Sequence, residues 1–515
     1  MLTATKILQN TPIFNRMFGV DEKDGLELEE INSWPALMIV TSFVWLAVAG
    51  LFGLAMPVIQ HYHLGTGFFY TAMTAHGAAL AFPFGFQIMV GVGLHRAAGC
   101  SGKPLSGWLP AAVYLSMNVG AALLTVAILL GFNVSLVLMY PLPVVGVATG
   151  QWSYSTLLLA FTGIAGVLIH MIVLYPILLL KLSFFGEKRE DLLLNERSLD
   201  DPGMLGMVLA ALVLLVMGTP ILIVASYILT ALYGIIPLDA VAWATKPVVF
   251  QFAFFIFAHN LMEAMALMVI SGVYATMPLY LADGTRELYS KKIANAALWI
   301  LLLTSFSSFL HHFFTMFPNL PATLIYHGNI MSWGTGIGSA LSIFTILATA
   351  WKHGLKVRPG LTLAFAGFAL YILDGASAVV TSNATWTFQL HGTMWQSGHT
   401  MTVILAMSMM WMGVLYHHYP VMTGRKLSDG LGNWSTILFV FGSVGAALVM
   451  LAGGADGMPR RHADWDQGGW MPWGDAIFFF GAIMAVGLVL YAVNLMKSQK
   501  IAVYTEGAMA PEPAE

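Results

Sequence analysis

Residues 390–416, LHGTMWQSGHTMTVILAMSMMWMGVLY, contain no Asp, Glu, Lys or Arg. As a helix rising about 1.5 Å per residue, this run is longer than the roughly 30 Å hydrocarbon core of a bilayer. It nevertheless carries His391 and His399. An ionisable ring inside a membrane span is costly, so one marks a metal, a proton path or a buried network. The same combination recurs at His76, His259, His311 and His312, each on a strongly apolar stretch. Few of these rings have polar neighbours on their own helix to satisfy both nitrogens, which favours metal binding.

The whole chain agrees with that reading. Of its 515 residues 58% are hydrophobic and 9% charged, a balance no soluble domain of this size tolerates at its surface. Apolar runs long enough to span fall at 35–60, 68–94, 107–135, 153–180, 204–233, 247–281, 293–317, 329–351, 360–381, 390–416, 433–454 and 474–496. The expectation is an all-α integral membrane protein of twelve transmembrane helices in one domain, residues 34–502. It is flanked by a polar N-terminal segment (1–33), too polar for a signal peptide's core, and a disordered tail (503–515). No repeat, low-complexity block or interior linker argues otherwise.

Lys and Arg test the count independently, because short cytoplasmic loops are enriched in them. Of the 22, nineteen fall on one side: Lys6, Arg16 and Lys23; Arg96 and Lys103; Lys181, Lys188, Arg189 and Arg197; Arg286, Lys291 and Lys292; Lys352, Lys356 and Arg358; Arg425 and Lys426; Lys497 and Lys500. Both termini are therefore expected in the cytoplasm. Lys246, Arg460 and Arg461 remain outside, and the outward arginine pair needs its own reason. The single cysteine, Cys100, read as a loop residue, excludes intrachain disulfides, a Cys-x-x-Cys-His heme attachment and a two-cysteine copper centre. Electrons must then come from a partner.

His399 and Met401 are two residues apart, so at about 100° per residue they point to nearly opposite faces of their helix. Imidazole and thioether are both axial heme ligands. One helix can thus hold a heme on each side, with Thr400 between them. His76 can complete a six-coordinate, electron-carrying heme with Met401, while the heme on His399 keeps an open face. His259, His311 and His312 supply nitrogen for a further metal facing it. Glu263, one turn beyond His259, hardens that site from copper towards iron, or carries protons. His170 reads as a packing residue and the doublet His417 and His418 as interfacial. Asp374 and the hydroxyls of Thr304, Ser307 and Ser308 stay open between proton path and structural bonding.

These residues resemble subunit I of the heme-copper oxidase superfamily. The most specific pieces are Tyr419-Pro420-Val421-Met422-Thr423-Gly424-Arg425 and Gly457-Met458-Pro459-Arg460-Arg461. The resemblance implies that Arg460 and Arg461 bind heme propionates on the outer side, with His391 nearby, although the Asp that usually follows that histidine is Gly392. It also exposes departures. The family's active-site tyrosine, four residues after the first non-heme ligand, is replaced by Glu263, its channel glutamate by Leu261, and its channel lysine by Gly338.

A His-x-x-x-Glu followed some fifty residues later by His-His is similar to nitric oxide reductases, as a divergent, oxidase-derived member. That resemblance implies reduction of two NO to N2O and water in a bacterial or archaeal plasma membrane, within respiratory electron transport and denitrification. It implies a His/Met low-spin heme and a high-spin heme, both more in keeping with b type, and a non-heme iron. A partner subunit of cytochrome c or cupredoxin (CuA) type would deliver the electrons. Membrane lipid surrounds the bundle, and no nucleic-acid partner is expected. The alternatives are an O2-reducing oxidase with copper and, from another class, a twelve-helix secondary transporter, which leaves the histidine spacings unexplained.

Overall fold

A computed structural model describes residues 30–133, 152–185, 201–317 and 319–500. Among them, twelve helices are long and apolar enough to cross a membrane. They are α1 Ser33–His61, α2 Thr66–Ser101, α3 Trp108–Leu129, α4 Tyr154–Phe184, α5 Pro202–Leu232, α6 Pro247–Tyr280, α7 Lys291–Phe313, α8 Ala322–His353, α9 Pro359–Ser382, α10 Met394–Thr423, α11 Asp429–Ala455 and α12 Met471–Met496. Each coincides with one apolar run of the sequence, as expected for segments that must satisfy their backbone internally in lipid. Residues 1–29, the tail 503–515 and the loop cations Lys188, Arg189 and Arg197 lie outside the described residues.

The helix ends are set by local chemistry. Ser153, Ser290, Thr393 and Ser428 cap α4, α7, α10 and α11, each accepting a hydrogen bond from a first-turn amide. Pro202, Pro247 and Pro359 stand in the first turns of α5, α6 and α9, where their missing N–H costs nothing. One boundary corrects the sequence reading. α2 continues to Ser101 and stops where Gly102 takes a left-handed φ of 66°. Arg96 and Cys100 are therefore helical rather than on a loop.

Consecutive helices pack as antiparallel pairs, and α12 returns to α1, which closes the bundle. The inner helices are α2, α6 and α10, with 72, 67 and 72% of their most apolar window buried, against 22% for α8 and 11% for α12. Three of the four helices that carry the candidate ligands are thus the innermost. Polar glue ties the first three helices together: Asn118 Nδ2 donates to Gln87 Oε1 (2.8 Å), Gln87 Nε2 donates to Thr41 Oγ1 (3.0 Å), and Trp45 Nε1 donates to Asn118 Oδ1 (2.9 Å). α9 and α10 approach through small residues, since a Cβ on Gly413 would stand 2.5 Å from the Gly360 carbonyl oxygen.

The loops group into the two sides that charge counting separates. On the cation-rich side Leu281 bridges Leu355, Arg358 pairs with Asp429 at 2.9 Å, and β1 (Arg425–Lys426) pairs antiparallel with β2 (Gln499–Lys500). Asp283 also meets His353 there at 2.6 Å, and that contact, with the Thr285 amide, holds its carboxyl down to about 2. On the opposite side Gln60 Nε2 donates to the His462 carbonyl (2.7 Å) and Thr393 bridges Pro459.

Candidate metal centre

α6 presents His259 and Glu263 one turn apart, with Glu263 Oε1 3.9 Å from His259 Nε2. α7 ends its α-helical winding at Ser308 and tightens into a 3₁₀ turn, Phe309–Phe313, which carries His311 and His312. The turn brings both rings to His259, with centroids 5.0 and 5.4 Å away, and sets them 4.3 Å from each other. One nitrogen from each of the three lies within 4.8 Å of the others. The other such group among the described residues, His63 with Asp464 and Asp466, is largely exposed on the outer loops.

Hydrogen bonds select which nitrogen each ring offers. Ser308 Oγ donates to the Ser305 carbonyl (3.2 Å), so it accepts from His259 Nε2 (2.6 Å). Ser332 Oγ donates to the Gly328 carbonyl (2.7 Å), so it accepts from His311 Nδ1 (2.9 Å). The two rings are left with His259 Nδ1 and His311 Nε2 as lone-pair donors, the pattern of metal-binding imidazoles oriented by outer partners. Phe255 stacks on His312 at 4.4 Å and holds its plane. The three imidazoles form a donor set that fits one metal ion, with the Glu263 carboxylate beside them on the Nε2 side of His259.

His76 sits on α2 against α1. Its Nδ1 donates to the Ala49 carbonyl (2.8 Å), which leaves Nε2 without a hydrogen bond among the described residues. The ring occupies the place of a missing side chain, because a Cβ on Gly53 would lie 2.6 Å from Nδ1 and 2.8 Å from Cε1. On α10, His399 Nδ1 meets Asp374 Oδ1 of α9 at 2.9 Å, and its Nε2 is likewise left to other partners. The His399 side chain keeps 20% of its surface accessible although its helix is among the innermost. Met401 is half-buried two positions on, across the regular helix. Both histidines thus have the tautomer and the access that an axial ligand requires, and the donor set fits two hemes.

The outer arginines are positioned by backbone pairing between the start of α10 and the loop after α11. Arg460 N donates to the Gly392 carbonyl (3.1 Å) and Met394 N to the Met458 carbonyl (2.7 Å). Tyr70 donates to the Arg461 carbonyl (3.1 Å), which ties in the start of α2. Burial pushes Arg460 down to about 10, and burial plus its neighbour pushes Arg461 down to about 9. His391 falls to about 4, from burial and then from the two guanidiniums. Two adjacent, half-buried guanidiniums beside a neutral histidine make a site suited to carboxylates on the cation-poor side.

The structure gathers His259, His311 and His312 with Glu263, and His391 with Arg460 and Arg461, while His76, His399 and Met401 each stand on their own helix face with no direct contact between them among the described residues. Sequence reading missed the orienting role of Ser308 and Ser332. Ser308 lies three residues before His311, a spacing that could have flagged it. His170 is buried against α3, with Nδ1 donating to the Val113 carbonyl (2.6 Å). His418 departs from the interfacial reading: it is buried, with its ring edge-on to His95 at 5.4 Å, because α2 extends far enough to cover it.

Comparisons with known proteins agree with this architecture. The family model for cytochrome c and quinol oxidase polypeptide I matches residues 35–487. A heme-copper oxidase subunit I+III of Aeropyrum pernix is 26% identical over 234 residues, 44% of this chain and 27% of that protein. Cytochrome c oxidase subunit 1 of Thermostichus vulcanus is 26% identical over 222 residues, 42% of this chain and 39% of the relative. A probable quinol oxidase subunit 1 of Staphylococcus haemolyticus is 28% identical over 211 residues, 40% of this chain and 31% of the relative. The matched stretches thus span less than half of each of these relatives. A solved heme-copper terminal oxidase dimer shares the fold, with a TM-score of 0.76 at 18% identity over 93% of this chain and 88% of that one. With the family match running from α1 into α12, the chain belongs to the heme-copper oxidase subunit I family.

Proposed function

We propose that this chain is the catalytic subunit of a nitric oxide reductase that converts two NO, two electrons and two protons to N2O and water. The observation that carries the reading is Glu263, a carboxylate 3.9 Å from His259 and beside the three-histidine group, at the position where oxygen-reducing relatives are expected to carry a tyrosine. Cleaving O–O takes four electrons, and a tyrosine can supply one. Coupling two NO takes two, which two reduced irons provide without a side-chain radical.

In this reading His76 and Met401 hold the low-spin heme, His399 holds the high-spin heme, and His259, His311, His312 and Glu263 hold a non-heme iron. When bound, these groups bring electrons to the space between α6, α7 and α10, where NO is reduced. The protein supplies the rest. Ser308 and Ser332 fix the imidazole tautomers, Glu263 delivers protons and balances charge, and Arg460, Arg461 and His391 anchor propionates. The cation-rich loops and both termini face the cytoplasm of a bacterium or archaeon, and a cytochrome c or cupredoxin-type partner donates electrons at the outer face. A thioether ligand raises the low-spin potential to suit such a donor.

The competing reading, an O2 reductase with copper, is favoured by the names of the relatives. Metal analysis with steady-state turnover on NO and on O2 separates the two. Non-heme iron with NO turnover supports the proposal, and stoichiometric copper with O2 as the faster substrate overturns it.

A further inference from the structure

We infer that Asp374 is a positioning residue that sets the electronic character of His399, which gives this heme an anionic partner that the His76 heme lacks. The inference rests on the reading of His399 as a heme ligand. Its basis is a contrast between the two histidines. His76 Nδ1 donates to a neutral backbone carbonyl, Ala49 O, at 2.8 Å. His399 Nδ1 faces a carboxylate, Asp374 Oδ1, at 2.9 Å. Asp374 is 5% exposed, in the middle of an apolar span, and His399 is its ion-pair partner among the described residues.

Ser377 explains why the proton belongs on the ring. Its hydroxyl donates to the Asp374 carbonyl oxygen (2.8 Å), so at 3.2 Å from His399 Nδ1 it acts as a second acceptor. Two acceptors, one of them a carboxylate, converge on a single N–H. A buried carboxylate is tolerated when positive charge lies close by. Here that charge would come through the ring, from the imidazole N–H polarised toward Asp374 and, when a heme is bound, from the iron that His399 would hold. Carboxylate–histidine–metal arrangements raise ligand basicity. The pair therefore strengthens the iron–histidine bond and favours the ferric state of this heme, with no such push on the heme at His76.

The test uses purified, heme-loaded protein. In the wild type, resonance Raman of the ferrous high-spin heme should place the iron–histidine stretch at the high frequency of a carboxylate-bonded imidazole. A frequency typical of a carbonyl-bonded imidazole overturns the inference and needs no variant. Asp374→Asn should move that stretch to lower frequency and raise the high-spin midpoint potential, with the low-spin potential unchanged. Ser377→Ala should leave the stretch near the wild-type value. An Asp374→Asn protein with full heme content and unmoved stretch and potential also overturns it. His399→Ala tests the underlying reading separately: loss of the high-spin heme alone supports that reading, and retention of both hemes removes it and the inference together.

Discussion

Gly53→Ala is the sharpest test of how the second helix holds its histidine. The added Cβ would stand 2.6 Å from His76 Nδ1, whereas ordinary contact begins at 3.4 Å, so the ring must retreat by about 0.8 Å. Ala49 lies one turn before Gly53, and its carbonyl points along the same face. The retreat therefore also stretches the 2.8 Å Nδ1–Ala49 bond to about 3.6 Å, beyond hydrogen-bond range. Overpacking costs about 1–3 kcal/mol and the lost bond about 0.5–1.5 kcal/mol. Together they amount to roughly one to three orders of magnitude in the ligation equilibrium of the low-spin heme. Gly50→Ala is the control, since a Cβ there meets nothing within 4 Å and the gain in helix propensity is the same. Pyridine hemochrome content and the low-spin absorption band should show loss or conversion of one heme in Gly53→Ala and none in Gly50→Ala. An unchanged low-spin spectrum in Gly53→Ala, or equal loss in both variants, would refute the reasoning.

Other outcomes follow from the same geometry. Glu263→Gln should lower NO turnover by about 100-fold or more even in the fraction of protein that retains its non-heme iron, in line with removal of a proton donor; near-normal turnover in a fully metallated variant would remove its proposed role. Elemental analysis of the wild type should give non-heme iron beyond the heme iron and only traces of copper, as a carboxylate hardens the site. Replacing Arg460 and Arg461 together by Gln should release heme during detergent purification, because each charge-assisted bond to a propionate is worth about 1.5–3 kcal/mol; full retention would count against propionate anchoring. Gly413→Leu should force α9 from α10, lower thermal stability in detergent by the about 1–3 kcal/mol of an overpacked interface, and weaken the Asp374–His399 pair they share.

Much of this was legible in the sequence because a bilayer imposes unusually strict rules. Twelve apolar runs had to become helices, since no other open element satisfies its backbone in lipid. A histidine placed in such a run needs an unusual partner. The spacing of His399 and Met401, and of His259 and Glu263, follows from helical periodicity alone. Composition also excluded a soluble fold, and a single cysteine excluded intrachain disulfides. The loop cations divided the connections into two sides, and the described contacts between loops agree.

Tertiary structure decided what depends on residues distant in the chain. Only folding brings Asp374 to His399, Ala49 and Gly53 to His76, and Ser332 to His311, because each pair joins different helices and leaves no period in the sequence. The 3₁₀ turn that aims His311 and His312 at His259 is likewise a product of packing at the end of α7. The burial of His418 depends on α2 running on to Ser101, where the left-handed Gly102 rather than hydropathy ends it. The candidate ligands could be picked out along the chain; their hydrogen-bond partners and supports come from the neighbours each helix acquires in the bundle.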